Sequence, residues 1–457
     1  MTATATRGAA RRAGRRTNRR TPASGSGVAV TLARAAAPFV GGDLPVRLRT
    51  WDGSEAGPAD APLVELCSPD ALRRLLWHPG ELGAAQAYVT GELEVHGDLG
   101  AALSHAFAVG RARGLTGRPG PASYAAAVRA IASLGVIGRP LPAPDSQARV
   151  HGRLHSRRRD RRAISHHYDL SNDFYALLLD PSMAYSCAYY GDDPDHTDQQ
   201  SLEAAQRAKL DLVCRKLDLA PGRTLLDVGC GWGSLSLHAA EHVGAQVVGV
   251  TIAAEQKRFI DARIRERGLE GRVEIRLQDY REVVPTGSIG STGGGMFDAV
   301  GSVEMGEHVG EKNYGTYAQV LHDAVKPGGR VLIQQMSRSG GRNGHPGGGP
   351  FIESFIAPDM HMRPVGETVA YLERGGLEVR DVHALREHYV RTVEGWLDSF
   401  AANQDRLTEL VGEELVRVWR LYLVGGAMAF RDGRMGVDQI LMVRPGASHT
   451  LSPVRAW

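Results

Sequence analysis

From about Leu219 to the C-terminus, short runs of β-branched and other apolar residues alternate with stretches in which apolar residues recur every three or four positions. The first pattern predicts buried strands, and the second predicts amphipathic helices. Such alternation is typical of a mainly parallel sheet with helices on both faces, so we expect a doubly wound α/β fold with seven strands. The predicted strands are Arg223–Val228, Gln246–Val250, Arg272–Leu277, Phe297–Val303, Arg330–Gln335, Leu377–His383 and Gln439–Val443, and the predicted helices are Ser234–His242, Ala253–Arg267 and Tyr314–Val325.

The N-terminal third carries a different pattern and predicts a smaller domain. Residues 1–27 are poor in apolar side chains, which is typical of a disordered tail. Residues 28–145 are expected to form an accessory domain, and residues 146–457 the main α/β domain. The glycine-rich stretches 287–295 and 340–349 are expected to be surface insertions. In the accessory domain the predicted strands are Val46–Trp51 and Leu63–Leu66, and the predicted helices are Ser68–Trp77 and Asp98–Val109.

The formal net charge of +3 conceals an uneven distribution of charge. Seven arginines lie within residues 1–27, the first acidic residue is Asp43, and a second basic run covers residues 153–162. Basic runs attract anionic surfaces such as lipid headgroups or nucleic acids. A solvated tail without a partner is the alternative interpretation of the first run.

The cysteine spacing and the hydropathy profile indicate the cellular compartment in which the protein is expected to work. Cys67, Cys187, Cys214 and Cys230 form neither a CxxC pair nor a zinc-like spacing, which fits a reducing cytoplasm. The chain has no apolar run near the roughly 18 residues of a membrane-spanning helix and no signal-peptide pattern at its start. We therefore expect a cytoplasmic protein, peripheral at the inner face of the membrane, without a metal and without a nucleic-acid partner.

The most informative local motif is the segment LLDVGCGWG, which covers residues 225–233. A predicted strand runs into a glycine turn that opens a helix, where free backbone N–H groups face a ligand. A nicotinamide-binding fold expects an acidic residue at the end of the next strand, but Thr251 lies there. Asp227 before the glycines, and Asp279 with Tyr280 after the third strand, favour a methyltransferase cofactor site. A glycine turn that only packs is the alternative.

The segments that follow resemble one family, the cyclopropane-fatty-acyl-phospholipid synthases and the related mycolic-acid and fatty-acid C-methyltransferases. The resemblance covers about residue 150 to the C-terminus, and the N-terminal third looks like the extra domain that some members carry for lipid handling or dimer contacts. The matching segments are HHYDLSNDFYALLLD (166–180), MAYSCAYY (183–190), LLDVGCGWGS (225–234), GVTIAAEQ (249–256), LQDYR (277–281), EHVG (307–310), KNYGTY (312–317) and HYVRTVEGW (388–396).

The resemblance implies an S-adenosylmethionine site and a bound bicarbonate that acts as a base. The residues that it places at the cofactor are Tyr185, Ser186, Asp227, Gly229, Gly231, Gly233, Thr251, Gln256, Asp279 and Tyr280. The residues that it places at the anion, and hence at the catalytic centre, are Cys187, Glu307, Gln334, Met336 and Tyr389.

The chain departs from the family pattern at three positions. The family commonly reads His-Thr-Ile where this chain reads Gln334-Gln335-Met336, and Gln can donate to an anion but cannot carry a charge. Gly426 takes the place of a late cysteine, which argues against a covalent cysteine mechanism. Glu304 takes a position where a small residue is usual, and it is a candidate second base.

The resemblance implies transfer of a methyl(ene) group from S-adenosylmethionine to the double bond of an unsaturated acyl chain on a phospholipid. The product would be a cyclopropane or a methylene-branched (10-methylene type) chain. A methyltransferase of the same fold with a non-lipid substrate, and a lipid-binding module without turnover, remain alternatives. A homo-oligomer and a reductase acting downstream are further expectations.

Overall fold

The structure, a computed structural model, describes residues 27–114, 120–148, 171–191, 200–283, 296–338 and 347–455. The basic tail up to residue 26, the second basic run and the first glycine-rich stretch lie outside the described residues. Most of the second glycine-rich stretch lies outside them as well.

The N-terminal part forms a four-stranded sheet with helices packed beside it. Its strand order is β2-β1-β3-β4, in which β1 and β3 are parallel and the outer pairs are antiparallel. Ala29, Leu32, Leu48 and Leu72 belong to the buried core of this region. Its elements are α1 (Val28–Val40), β1 (Arg47–Thr50), β2 (Glu55–Ala56), β3 (Leu63–Leu66), α2 (Asp70–Trp77), α3 (Glu81–Val89), β4 (Leu93–Val95), α4 (Leu99–Ala112) and α5 (Pro121–Ser133).

The remainder of the chain builds a seven-stranded sheet. The elements are α6 (Asn172–Leu178), α7 (Leu202–Lys216), β5 (Thr224–Val228), α8 (Ser234–His238), β6 (Gln246–Thr251), α9 (Ala254–Glu266), β7 (Val273–Leu277), β8 (Phe297–Val303), α10 (Tyr314–Ala324), β9 (Val325–Arg338), α11 (Pro350–Phe355), α12 (Val365–Arg374), β10 (Glu378–Ala384), α13 (Arg386–Ala402), α14 (Gln404–Val411), α15 (Glu413–Arg431) and β11 (Met435–Val443).

The strand order of the large sheet is β10-β11-β9-β8-β5-β6-β7. The five strands from β9 to β7 are parallel, and β11 pairs antiparallel with both β9 and β10. Chain order reverses between β5 and β8, so the carboxyl ends of these strands flank a crevice in which open α/β sheets bind their ligands. The predicted doubly wound, mainly parallel fold is confirmed.

Apolar side chains cover both faces of the large sheet, because its central strands are apolar throughout. Leu225 and Val247 belong to a core cluster on one face, and Leu226 and Val248 belong to a cluster on the other. A third cluster joins α6, α13 and α15 at the carboxyl end of the strands. This third cluster contributes the wall of the candidate site.

Helix α15 also carries the contact with the N-terminal part. Arg417 of α15 donates from Nε to the carbonyl of Tyr88 at 2.5 Å and forms an ion pair with Glu94 at 2.7 Å. Beside it, Val418 packs with Val89 of α3 and with Phe355 of α11. The division into an accessory domain and a main domain at residue 145 stays a prediction.

The structure describes no helix long and apolar enough to cross a membrane.

Candidate active site

The glycine turn after β5 forms the floor of a cleft at the carboxyl end of the sheet. Gly229 has a φ of +79°, and a Cβ atom there would lie 2.5 Å from Cγ of Met305. Only glycine therefore permits both the turn and the close packing of Met305 against it. Gly231 lines the cleft. Gly233 is the residue immediately before α8, and a Cβ atom on it would lie 3.0 Å from the side chain of Ile260.

Asp227 connects the two elements on either side of the glycine turn. Its carboxylate is buried and accepts a hydrogen bond of 2.7 Å from Oγ of Ser236 in α8. Burial raises the pKa of Asp227 to about 6, although the bond from Ser236 and the charge of Lys209 oppose the shift. Asp227 thus ties the end of β5 to the helix that follows, at the edge of the cleft.

The ends of the next two strands supply the opposite side of the cleft. Thr251, the last residue of β6, donates to Oε1 of Gln256 at 3.0 Å, so the two side chains hold each other. After β7, Asp279 accepts from Arg281 at 2.7 Å, and Tyr280 packs edge-on against Tyr317. These positions are among those at which the sequence predicts contacts with the cofactor.

One cleft collects almost all of the predicted cofactor residues. Its lining includes the predicted residues Tyr185, Ser186, Asp227, Gly229, Gly231, Thr251, Gln256, Asp279 and Tyr280, and it also includes Trp232, Met305, His308 and Glu304. A cleft lined by a glycine turn, by polar side chains at the strand ends and by aromatic side chains suits a nucleoside joined to an amino-acid tail. The residues present therefore fit S-adenosylmethionine.

Glu304 lies at the inner end of this cleft and accepts three hydrogen bonds. Oε1 accepts from the backbone N–H of Cys187 at 2.8 Å and from Nε2 of Gln334 at 2.9 Å. Oε2 accepts from the hydroxyl of Tyr389 at 2.6 Å. Gln334 is held in turn by Gln439, whose Nε2 donates to Oε1 of Gln334 at 3.0 Å. Three residues predicted to hold a bicarbonate thus already hold a side-chain carboxylate.

The second glutamate near the cleft, Glu307, is fully buried, and the protein gives its carboxyl group few hydrogen bonds. Oε1 accepts the backbone N–H of Met336 at 2.5 Å, and Oε2 has no hydrogen-bond partner among the described residues. Burial first, and the neighbouring Glu304 second, raise the pKa of Glu307 to about 8. Two close carboxyl groups in a dry site do not both ionise, so Glu307 is the protonated member of the pair at neutral pH.

A buried lysine adds positive charge beneath Glu304. Lys209 of α7 is fully buried and donates from Nζ to Oγ of Ser186 at 2.9 Å. Burial lowers the pKa of Lys209, and the nearby carboxylate of Glu304 is the main influence that opposes this shift. The role of Lys209 could not be predicted from the sequence, because a lysine on an amphipathic helix ordinarily faces solvent.

Aromatic side chains form a wall beside the cleft, which we call the aromatic wall. The hydroxyl of Tyr185 donates to the hydroxyl of Tyr422 at 3.0 Å, and the Tyr185 ring lies 5.2 Å from that of Trp396. Such faces stabilise an adjacent positive charge by roughly 0.5–2 kcal/mol each. The wall comprises Tyr175, Tyr185, Trp232, Trp396, Trp419 and Tyr422.

The cysteines do not provide a nucleophile at the centre. Cys187 contributes its backbone N–H to Glu304, while its buried thiol points to the carbonyls of Ala188 and Leu385. Burial, followed by the charge of Glu304, raises the pKa of the Cys187 thiol well above its ordinary value. Gly426 lies within α15, as the resemblance predicts for a late helix.

The fold and the cleft define an enzyme of the S-adenosylmethionine-dependent methyltransferase class. The mycolic acid cyclopropane synthetase family matches residues 155–440, and the chain belongs to that family. When bound, S-adenosylmethionine supplies a methyl group on a sulfonium, which is electrophilic enough for a carbon nucleophile.

Similar proteins act on lipids. A probable fatty acid methyltransferase of Pseudomonas putida is 36% identical over 408 residues, which are 88% of this chain and 93% of that protein. The cyclopropane-fatty-acyl-phospholipid synthase of Escherichia coli strain K12 is 36% identical over 278 residues, or 61% of this chain and 66% of that one. The crystal structure of the mycolic acid cyclopropane synthase CmaA1 with SAH and CTAB is 29% identical, with a TM-score of 0.56 over 62% of this chain and 98% of that one. This protein is therefore an S-adenosylmethionine-dependent enzyme that methylates or cyclopropanates lipid acyl chains.

Proposed function

We propose that the enzyme modifies the double bond of an unsaturated acyl chain while that chain is part of a membrane phospholipid. The observation that carries the proposal is the lining of the cofactor cleft, which brings together the carboxylate of Glu304, the apolar side chains of Met183 and Met305, and the aromatic ring of Tyr185. An amine or hydroxyl acceptor has its own lone pair and needs no such surroundings. An alkene needs a dry, apolar contact surface and a base for the proton that it releases.

The proposal specifies that the acyl chain is attached to a phospholipid when it is modified. The similar protein of Escherichia coli is named a cyclopropane-fatty-acyl-phospholipid synthase, which supports a lipid with a headgroup as substrate. The arginine-rich N-terminal segment supports an anionic surface as the place of reaction. We accordingly propose that the enzyme is cytoplasmic and works peripherally at the inner face of the membrane.

The test is consumption of S-adenosylmethionine by the full-length enzyme with three acceptors. Vesicles of dioleoyl phosphatidylglycerol should support turnover, whereas vesicles with saturated chains and soluble oleate should not. Turnover on soluble amines or phenols alone would overturn the lipid assignment. Cofactor binding without consumption in any arm would overturn the enzymatic one for this lipid class.

We also propose that the product is the methylene-branched chain rather than the cyclopropane. Gln334 at the anion site donates a hydrogen bond but cannot take a proton, so the charge distribution around the acyl cation differs from that with a histidine. Mass spectrometry and proton NMR of lipids from an oleate-rich host that expresses the protein will decide. Cyclopropane signals without vinylidene signals would contradict the proposed product.

A further inference from the structure

The backbone at Glu304 adopts a conformation that is rare for a residue with a side chain. Its φ is +51°, and its N–H donates to the carbonyl of Gln334 at 2.7 Å. A non-glycine residue in this region costs about 1 kcal/mol or more and persists only where its surroundings impose it. The turn after β8 directs the Glu304 carboxylate into the inner end of the cofactor cleft.

The three groups that donate to Glu304 define an anion site that the chain itself fills. Cys187, Gln334 and Tyr389 donate at 2.6 to 2.9 Å, and two of the three donors reach one oxygen. A carboxylate and a bicarbonate both present a planar CO₂⁻ group with two accepting oxygens. A free bicarbonate therefore does not fit on these donors while Glu304 is present.

The surroundings also decide which glutamate carries the charge. Three donors and the buried Lys209 favour the ionised form of Glu304, although burial raises its pKa. Glu307 accepts from the backbone N–H of Met336 through Oε1, its Oε2 has no partner among the described residues, and it is the protonated member of the pair. Tyr389 stays a donor, because burial and the charge of Glu304 raise its pKa well above the ordinary value.

We propose that the Glu304 carboxylate is the catalytic base of this enzyme and takes the place of a bound bicarbonate. The inference rests on the proposed function, in which one alkene carbon would bond to the methyl carbon while the bond from that carbon to the cofactor sulfur breaks. The electron pair of the broken bond would stay on sulfur, giving S-adenosylhomocysteine, and the neighbouring alkene carbon would become positively charged. Glu304 then takes one proton from that methyl carbon and becomes a neutral acid. The electron pair of the broken C–H bond closes the cyclopropane ring on the cationic carbon. If a 1,2-hydride shift comes first, the same pair forms the double bond of the methylene branch.

The first experiment measures turnover on dioleoyl phosphatidylglycerol vesicles in buffer freed of carbon dioxide and in the same buffer with added bicarbonate. The wild-type rate should be the same in both. Glu304→Gln keeps the size of the side chain but removes the base, so turnover should fall about 10²- to 10⁴-fold. Binding of S-adenosylhomocysteine to the variant, measured in parallel, checks that the cofactor site is still intact.

Glu373→Gln is the matched control, since Glu373 lies exposed on α12, and its turnover should equal that of wild type. Thermal unfolding of each variant checks that it is folded. A wild-type rate that collapses without bicarbonate would overturn the proposal, as would a Glu304→Gln variant with more than a tenth of the wild-type activity.

The second experiment needs no turnover, so it separates this inference from the proposed function. Glu304→Gly removes the carboxylate and suits the positive φ. With S-adenosylhomocysteine bound, ¹³C-labelled bicarbonate should bind this variant, as seen by NMR line broadening, and should not bind wild type. Bicarbonate should also restore part of the lost activity. Binding to wild type, or to neither protein, would overturn the assignment of Glu304 to the anion site, whatever the lipid assay shows.

Discussion

Glu304 and Glu307 are separated by only two residues, yet their surroundings give them opposite charge states. Three groups donate to the first carboxylate, whereas Oε2 of the second has no partner in the part of the chain that the structure describes. The charge of one carboxylate keeps the proton on the other, so the two titrate as a pair. This division places one negative charge on the pair, on the member that lines the cofactor cleft.

The proton on Glu307 predicts a pH dependence of stability. The pKa of Glu307 is about 8 in the folded protein against an ordinary 4.5, so the folded state holds an extra proton between these values. Stability from this group is complete below about pH 4.5 and is lost as the pH rises through 8. Glu307→Gln, which cannot ionise, should remove this loss, which we place on the order of 2–4 kcal/mol.

The check is the midpoint of thermal unfolding at pH 5 and at pH 9. The midpoint of wild type should fall by several degrees more than that of Glu307→Gln over this interval. Equal falls in the two proteins would contradict a protonated Glu307.

The glycine turn gives a second prediction at the residue scale. Gly229→Ala forces a Cβ into Met305 and a side chain into the left-handed region, so the turn must shift away from the ligand. The affinity for S-adenosylhomocysteine, measured by isothermal titration, should fall about tenfold or more. Gly271→Ala, at an exposed glycine with open space around it, is the control and should leave the affinity unchanged.

Most of the candidate site could be predicted from the sequence, but its hydrogen bonds could not. The glycine loop is contiguous, so the pattern of residues 225–233 is sufficient to predict it. The anion site joins segments more than 100 residues apart, and the position of Gln334 alone does not show that its amide meets Glu304 rather than a bound ion. Lys209 was missed because burial of a helix lysine depends on the complete fold.

At the scale of elements, strand positions were predicted well and strand lengths less well. The prediction Arg223–Val228 corresponds to β5, which begins one residue later. The prediction Arg330–Gln335 is the centre of β9, which extends from Val325 to Arg338. Pro327, Gly328 and Gly329 indicate a turn, but a register shift against β8 absorbs them within the strand. Such an irregularity depends on the neighbouring strand, not on local propensity.

Helix α15 connects two regions that the sequence analysis treated separately. Arg417→Leu removes the hydrogen bonds that Arg417 donates to the carbonyls of Tyr88 and Leu93, and it removes the ion pair with Glu94. We expect a loss of about 1–3 kcal/mol, because the Arg417 side chain is only 13% exposed. Thermal or urea unfolding measures this loss.

The control lies on the same helix. Arg431 pairs with Glu394 while 53% of its side chain is exposed, so Arg431→Leu should cost about 0.5 kcal/mol or less. A similar loss in both variants would mean that the contact of α15 with the N-terminal part contributes nothing specific.

At the scale of the whole molecule, charge distribution predicts how the enzyme meets its substrate. The net charge is only +3, whereas the first 27 residues carry seven arginines and no acidic residue. Removal of residues 1–27 should weaken sedimentation with vesicles that contain phosphatidylglycerol, most strongly at low salt. A full-length variant with these arginines changed to glutamine separates charge from length. Unchanged vesicle binding in both would contradict a role for the tail.

A base that is a side chain of the protein differs from a bound bicarbonate in how it depends on the surroundings of the cell. A diffusible base must be captured from solution, so its occupancy varies with the dissolved carbon dioxide around the cell. A carboxylate that belongs to the polypeptide has no dissociation constant and is present at full effective molarity in each catalytic cycle. With Glu304 as the base, we therefore expect lipid modification by this enzyme to be independent of the carbon dioxide tension of its surroundings.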